Sequence, residues 1–162
     1  MIPPRNNYAF IDGQNLYLGI RKLGWKLDYH KFRVYLREKY HTTQAYLFVG
    51  YIKTNEPLYR DLERADFILV FKPATVGADG KIKGNIDADL VLRTMDKLDN
   101  YHKAILISSD GDFYSLAGYL RAIGKLAAVL SPDVYNCSWL LREAAADKIW
   151  FMNELRPKLG YE

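Results

Sequence analysis

The stretch Ala104-Ile105-Leu106-Ile107-Ser108-Ser109-Asp110-Gly111-Asp112-Phe113 decides the fold. Its four consecutive apolar residues, two of them β-branched, have the character of a strand buried on both faces. The run stops at a polar turn with two carboxylates, and Tyr114 to Leu120 resumes with apolar residues at helical spacing. A strand that ends in acids and feeds a helix is a unit of an open parallel sheet. In such sheets ligands bind where strand carboxyl ends and helix amino ends converge.

The same unit recurs on either side. Upstream, Tyr8-Ala9-Phe10-Ile11 reads as a strand leaving through Asp12-Gly13-Gln14-Asn15, with Leu16, Ile20 and Leu23 at helical spacing behind it. Asp28 is positioned to cap a helix running to about Tyr40. Residues 45–52 and 67–71 read as two further strands, and Asn55-Glu56-Pro57 opens a helix between them. The longest irregular segment, 74–85, carries the turn signal Asp79-Gly80 and is expected to fold as a hairpin. A helix from about Ile86 to Leu98 precedes the opening stretch. A strand over 126–130, a helix over 139–146 and a short strand within 148–152 follow it. Strands alternating with helices predict an α/β fold with a mainly parallel sheet of five to six strands and helices on both faces. One domain over residues 1–162 is expected, with a peripheral tail from about 153.

Composition narrows the functional classes. With 162 residues and 49% hydrophobic content, the chain can build one core without staples. The single cysteine, Cys137, excludes an intramolecular disulfide and a multi-cysteine zinc site, and reads as a small buried hydrophobe. No apolar run approaches the roughly 20 residues of a membrane span. Residues 1–5 hold no apolar signal core, so the cytoplasm is the expected compartment. The net charge of +4 permits a polyanionic partner. Tyr17, Trp25, Tyr51 and Tyr114 offer rings for base stacking, although packing is the commoner use of such residues.

Chemistry concentrates in the aspartates. Five of thirteen fall at predicted strand ends or helix starts: Asp12, Asp87, Asp89, Asp110 and Asp112. Two carboxylates about 4 Å apart repel by on the order of 4 kcal/mol at an effective dielectric near 20. A converging set must therefore protonate, find basic partners or bind a cation. Magnesium or manganese suits an all-oxygen set without histidine or cysteine. At about 100° per residue, Leu90, Val91, Thr94, Met95 and Leu98 share one helix face with Asp87 near its centre. Asp89 points nearly the opposite way, where a solvated charge beside the helix dipole would explain it. Capping would explain Asp12 or Asp110 singly, but does not call for carboxylates from three segments. Asp112 is open to two readings, helix cap or ligand of a second metal. Asn15 could hold a carboxylate or a phosphate, or be an ordinary polar residue of its helix. Lys81 and Lys83 precede Asp87 on a loop that could hold phosphate or simply be solvated.

These residues resemble a known family. Phe10-Ile11-Asp12-Gly13-Gln14-Asn15-Leu16, Lys83-Gly84-Asn85-Ile86-Asp87-Ala88-Asp89-Leu90 and Ser108-Ser109-Asp110-Gly111-Asp112-Phe113 are similar, in order, to the motifs of the NYN domain family, in particular its LabA-like branch within the PIN-like nuclease superfamily. The resemblance implies a compact PIN-like, Rossmannoid fold, an acidic Mg2+ or Mn2+ pocket and cleavage of RNA phosphodiesters. It makes Asp12, Asp87 and Asp110 metal-binding catalytic positions, Asp112 a further acid and Asn15 a pocket residue; Asp89, Asn85 and Ser109 extend the set. The expected function is thus a metal-dependent ribonuclease acting on single-stranded or structured RNA, with Lys81 and Lys83 on the RNA backbone. The alternative is a non-catalytic RNA- or protein-binding regulatory module that keeps the cation pocket. No membrane partner is expected, and the oligomeric state, a homodimer included, is left open. A phosphatase or glycosyltransferase fits less well. Asp12 lacks a second acid two residues on, and the chain leaves little room for nucleotide and acceptor sites.

Overall fold

Strand β1 (Asn7–Asp12) is buried along its whole length, and its side chains alternate between two cores. Ala9 and Ile11 enter one core, while Tyr8 and Phe10 enter the other. Strand β6 (Ala104–Ile107) divides in the same way, Ile105 and Ile107 against Ala104 and Leu106. Both sheet faces are covered, so the positions between the polar ends of β1 and throughout β6 are apolar and read as continuous hydrophobic runs. The computed structural model describes residues 5–73, 75–76, 78, 82–83 and 86–161.

Six parallel strands lie in the order β3 (Phe67–Pro73), β2 (Thr42–Tyr51), β1, β6, β7 (Leu126–Ser131), β8 (Ile149–Phe151). Helices α1 (Gly13–Lys22), α2 (Tyr29–Tyr40) and α3 (Glu56–Arg64) cover one face with Leu16, Ile20, Phe32, Leu36 and Leu62. Helices α4 (Asp87–Asp96), α5 (Tyr114–Ala122) and α6 (Trp139–Ala145) cover the other with Leu90, Leu116, Leu120 and Leu141. This is the mainly parallel α/β sheet expected from the sequence. Asp28 caps α2 by accepting the His30 and Lys31 amides at 3.0 and 3.2 Å. The closing helix α7 (Arg156–Leu159) puts Leu159 into the α1 core, and Gly160 pairs with Leu27 in an antiparallel bridge. In the 74–85 segment, β4 (Thr75–Val76) pairs antiparallel with β5 (Ile82–Lys83), while Asp79-Gly80 lies outside the described residues. No described helix is long and apolar enough to cross a membrane.

Strand order sets the position of the site. The chain builds outward from β1 to β3, returns through α4 to place β6 beside β1, then builds outward to β8. The reversal falls between β1 and β6, and a crevice opens at their carboxyl ends. Both strands exit through Asp-Gly. A Cβ on Gly13 would lie 2.6 Å from Val49 Cγ1 and 2.7 Å from Phe48 O, so only glycine lets this turn pass so close to β2.

Candidate metal centre

Asp12 ends β1 and caps α1. Its Oδ1 accepts the Asn15 amide at 3.2 Å, and its Oδ2 accepts the Ser108 hydroxyl at 3.2 Å. Asp110, just beyond β6, caps the 3-10 turn Gly111–Phe113 by accepting the Asp112 amide on Oδ1 at 2.9 Å. The buried Ser108 Oγ also accepts the Asp110 amide at 3.0 Å, so one hydroxyl ties the two strand ends together. Asn15 adds a second tie, its Oδ1 accepting the Ser109 amide at 2.8 Å. Below it the Ser109 and Ser131 hydroxyls share a 2.7 Å hydrogen bond. Capping therefore does not compete with a role for these carboxylates; it aims them.

The third acid arrives from the crossover. Asp87 opens α4, and Asp12, Asp87 and Asp110 each offer a carboxylate oxygen within 4.8 Å of the others. Burial is the main force raising the Asp87 pKa from the ordinary 3.8 to about 7, reinforced by Asp110, by a hydrogen bond with Asp112 and by the charges of Asp12 and Asp112. Burial also raises the Asp12 pKa and Asp110 adds to it, while the bonds from Asn15 and Ser108 pull it down. A divalent cation would relieve this crowding and hold all three ionised. The donors fit one: they are all oxygen, and neighbouring ligands around a magnesium ion stand roughly 3–4 Å apart, given bonds of about 2.1 Å.

The acids open into a cavity of about 620 Å³. One wall is a face of α1, with Gln14, Asn15, Leu18, Gly19 and Lys22, and the other includes Asp133 and Asn136. Among the described residues lining it, Lys22 is the one basic side chain.

Residues 8–152, a span that holds all three acids, match the NYN domain family. The chain belongs to that family. This NYN domain falls in the LabA-like branch of the PIN-like nuclease superfamily. It is 26% identical over 165 residues to the Low amplitude and bright protein LabA of Synechococcus elongatus, covering 94% of this chain and 87% of the relative. The crystal structure of VPA0982, a protein of unknown function from Vibrio parahaemolyticus, superposes with a TM-score of 0.77 over 96% of each chain at 20% identity. At that identity the likeness concerns the fold.

Of the residues singled out in the sequence, the NYN domain brings Asp12, Asp87 and Asp110 together. Asp112 is exposed on the same cavity and hydrogen-bonded to Asp87. It is not the helix cap: Asp110 caps an intervening 3-10 turn, and α5 starts only at Tyr114 with Phe113 at its N-cap and no side-chain cap bond. Asn15 and Ser109 line the cavity. Asp89 lies elsewhere, in a cleft of about 880 Å³ between the end of β3 and the outer face of α4. Lys81 and Asn85 lie outside the described residues, as does the side chain of Lys83. Trp25 belongs to the core, and Tyr51 donates to Glu56 and packs on Tyr59. Lys22, Gln14, Asp133 and Asn136 escape the sequence reading. The first two sit at helical spacing from Asn15 and Leu18, and Asp133 repeats the pattern of an aspartate just past a strand.

Proposed function

We propose that this NYN domain is a divalent-cation-dependent RNA-binding module that holds a backbone phosphate through one ion at Asp12, Asp87 and Asp110. The observation carrying this reading is the compact three-carboxylate set, within 4.8 Å, at the switch point of the sheet. When bound, a divalent cation supplies positive charge and polarises a phosphodiester oxygen. The chain's own groups do the rest: Ser108 and Asn15 fix the carboxylates, and the cavity beside them admits a strand.

A second reading, Mg2+- or Mn2+-dependent ribonuclease activity, is favoured by Asp112. That fourth carboxylate lines the same cavity and hydrogen-bonds with Asp87, which sets a further candidate proton acceptor beside the three acids. One experiment separates the two. Labelled RNA is titrated with protein in Mg2+, in Mn2+ and in chelator, beside Asp110→Asn, and each sample is then run on a denaturing gel. Intact RNA whose affinity falls at least tenfold in chelator and in Asp110→Asn supports the binding module. Cut products that vanish in those two samples support the nuclease. Equal binding with and without metal, and no cleavage, sinks both.

A further inference from the structure

The cavity wall opposite α1 is the corner from β7 into α6, and it is rigidly built. Asp133, 2% exposed, accepts the Tyr135 amide at 3.0 Å and the Asn136 side chain. Asn153 Oδ1 accepts the Val134 amide at 3.0 Å, and Arg142 donates to the Val134 carbonyl. The Ser138 amide donates to the Ser109 carbonyl at 3.1 Å, joining the corner directly to the acid loop. On this fixed backbone two large rings stand in solvent, Tyr135 84% exposed and Trp139 66% exposed. They contribute little burial to folding and are open to a ligand.

Their surroundings indicate which. Tyr135 directly precedes Asn136, which lines the cavity, so its Cα is about 3.8 Å along the chain from a wall residue. Across the cavity Lys22 ends α1, about 12 Å along the helix axis from Gln14 near the acids. A cation site, a lysine further along the same trough and two exposed rings on the segment that supplies its opposite wall match a phosphate backbone with splayed bases. Rings on a fixed backbone lose little entropy when a base stacks on them, and base faces are available only where the strand is unpaired.

We propose that Tyr135 and Trp139 form a nucleobase-stacking subsite beside the acid cluster, with Lys22 across the cavity holding a neighbouring phosphate. This rests on the RNA-binding reading above and adds residues that set its preference for unpaired bases. The test uses a fluorescein-labelled 2′-O-methyl twelve-nucleotide RNA, which resists cleavage, as a single strand and as a blunt duplex, with Mg2+ present. Tyr135→Ala and Trp139→Ala are each expected to weaken single-strand binding about fivefold or more, with duplex binding unchanged and Tyr135→Phe close to wild type. Lys22→Gln is expected to lower the slope of log affinity against log salt by about 0.7. Single-strand binding should also quench the Trp139 emission, a signal lost in Trp139→Phe.

Unchanged affinity in both ring variants, with Asp110→Asn still impaired, overturns the subsite and leaves the acid-pocket reading standing. Equal loss on duplex and single strand overturns it too. Full binding by Asp110→Asn, with the ring variants impaired, leaves the subsite and removes the cation reading. Wild-type protein that binds neither oligonucleotide overturns both and leaves the rings to a protein partner.

Discussion

Two charged clusters stand at opposite ends of the same sheet, and they are built on opposite plans. At the strand amino ends Arg33, 2% exposed, is fully matched from within. Its guanidinium donates to the carbonyls of Asp66, Thr42 and Thr43 and to the Asp66 carboxylate, all at 3.1–3.2 Å. At the strand carboxyl ends, three carboxylates of one sign crowd within 4.8 Å, and Lys22, the one described cation in their cavity, is exposed. The first cluster neutralises itself and serves stability. The second is left for charge from outside, the condition of a binding site.

The largest effect should come from breaking the self-sufficient cluster. Arg33→Met strands three carbonyls, and a buried acceptor left without its partner costs about 1–3 kcal/mol, while the exposed Asp66 carboxylate keeps Arg37. Urea unfolding should show that loss equally with and without Mg2+. A loss that Mg2+ rescues would mean the two ends are not independent.

The acid cluster should respond to pH, and in a direction opposite to an ordinary salt-bridged acid. The Asp87 pKa rises on folding from 3.8 to about 7, so the native state binds the extra proton between those values. Native protein with more protons bound than unfolded chain loses stability as pH rises. The Asp87 contribution is thus fully present below about pH 4 and gone above about pH 7. Asp87→Asn should flatten this decline in chelator and raise stability at pH 8 by on the order of 1 kcal/mol, solvent screening included. Mg2+ should stabilise wild type more at pH 8 than at pH 5, because the ligands must be ionised. Thermal melts across pH in chelator and Mg2+ provide the check. Destabilisation of Asp87→Asn at pH 8 in chelator would show that the acids are not straining one another.

The same contrast explains what was legible in the sequence. Strands such as Ala104–Ile107 announce themselves because burial on both faces leaves an unbroken apolar run, and Asp87 could be set apart from Asp89 by helical phase alone. The three converging acids were readable because each follows or precedes a recognisable element. Arg33 was not, because its partners are backbone carbonyls from β2 and the residue before β3, which no side-chain pattern records. Lys22 and Asp133 became visible only when α1 and the β7–α6 corner were set against each other, with Gly19 packed on Pro132. Sequence left Asp112 open between cap and ligand, because the 3-10 turn that separates it from the start of α5, and that Asp110 caps, leaves no mark in the residue pattern.

The smallest effect should separate the two serines beneath the acids. Ser108 Oγ donates to Asp12 and accepts from Asp110, whereas Ser109 Oγ bonds to Ser131 and to neither acid. A neutral hydroxyl bond is worth about 0.5–1.5 kcal/mol of stability and one to a carboxylate more, so Ser109→Ala should shift the urea midpoint slightly and Ser108→Ala somewhat further. Their effects on the cation should differ. Without the Ser108 hydroxyl, Asp12 loses the bond that orients its Oδ2, and a lost partner of this kind costs about tenfold or more in metal affinity. Mn2+ titration should therefore weaken in Ser108→Ala and stay at the wild-type value in Ser109→Ala. Equal weakening in both would trace the effect to general loosening of the loop after β6, and would remove Ser108 as the residue that aims the carboxylates.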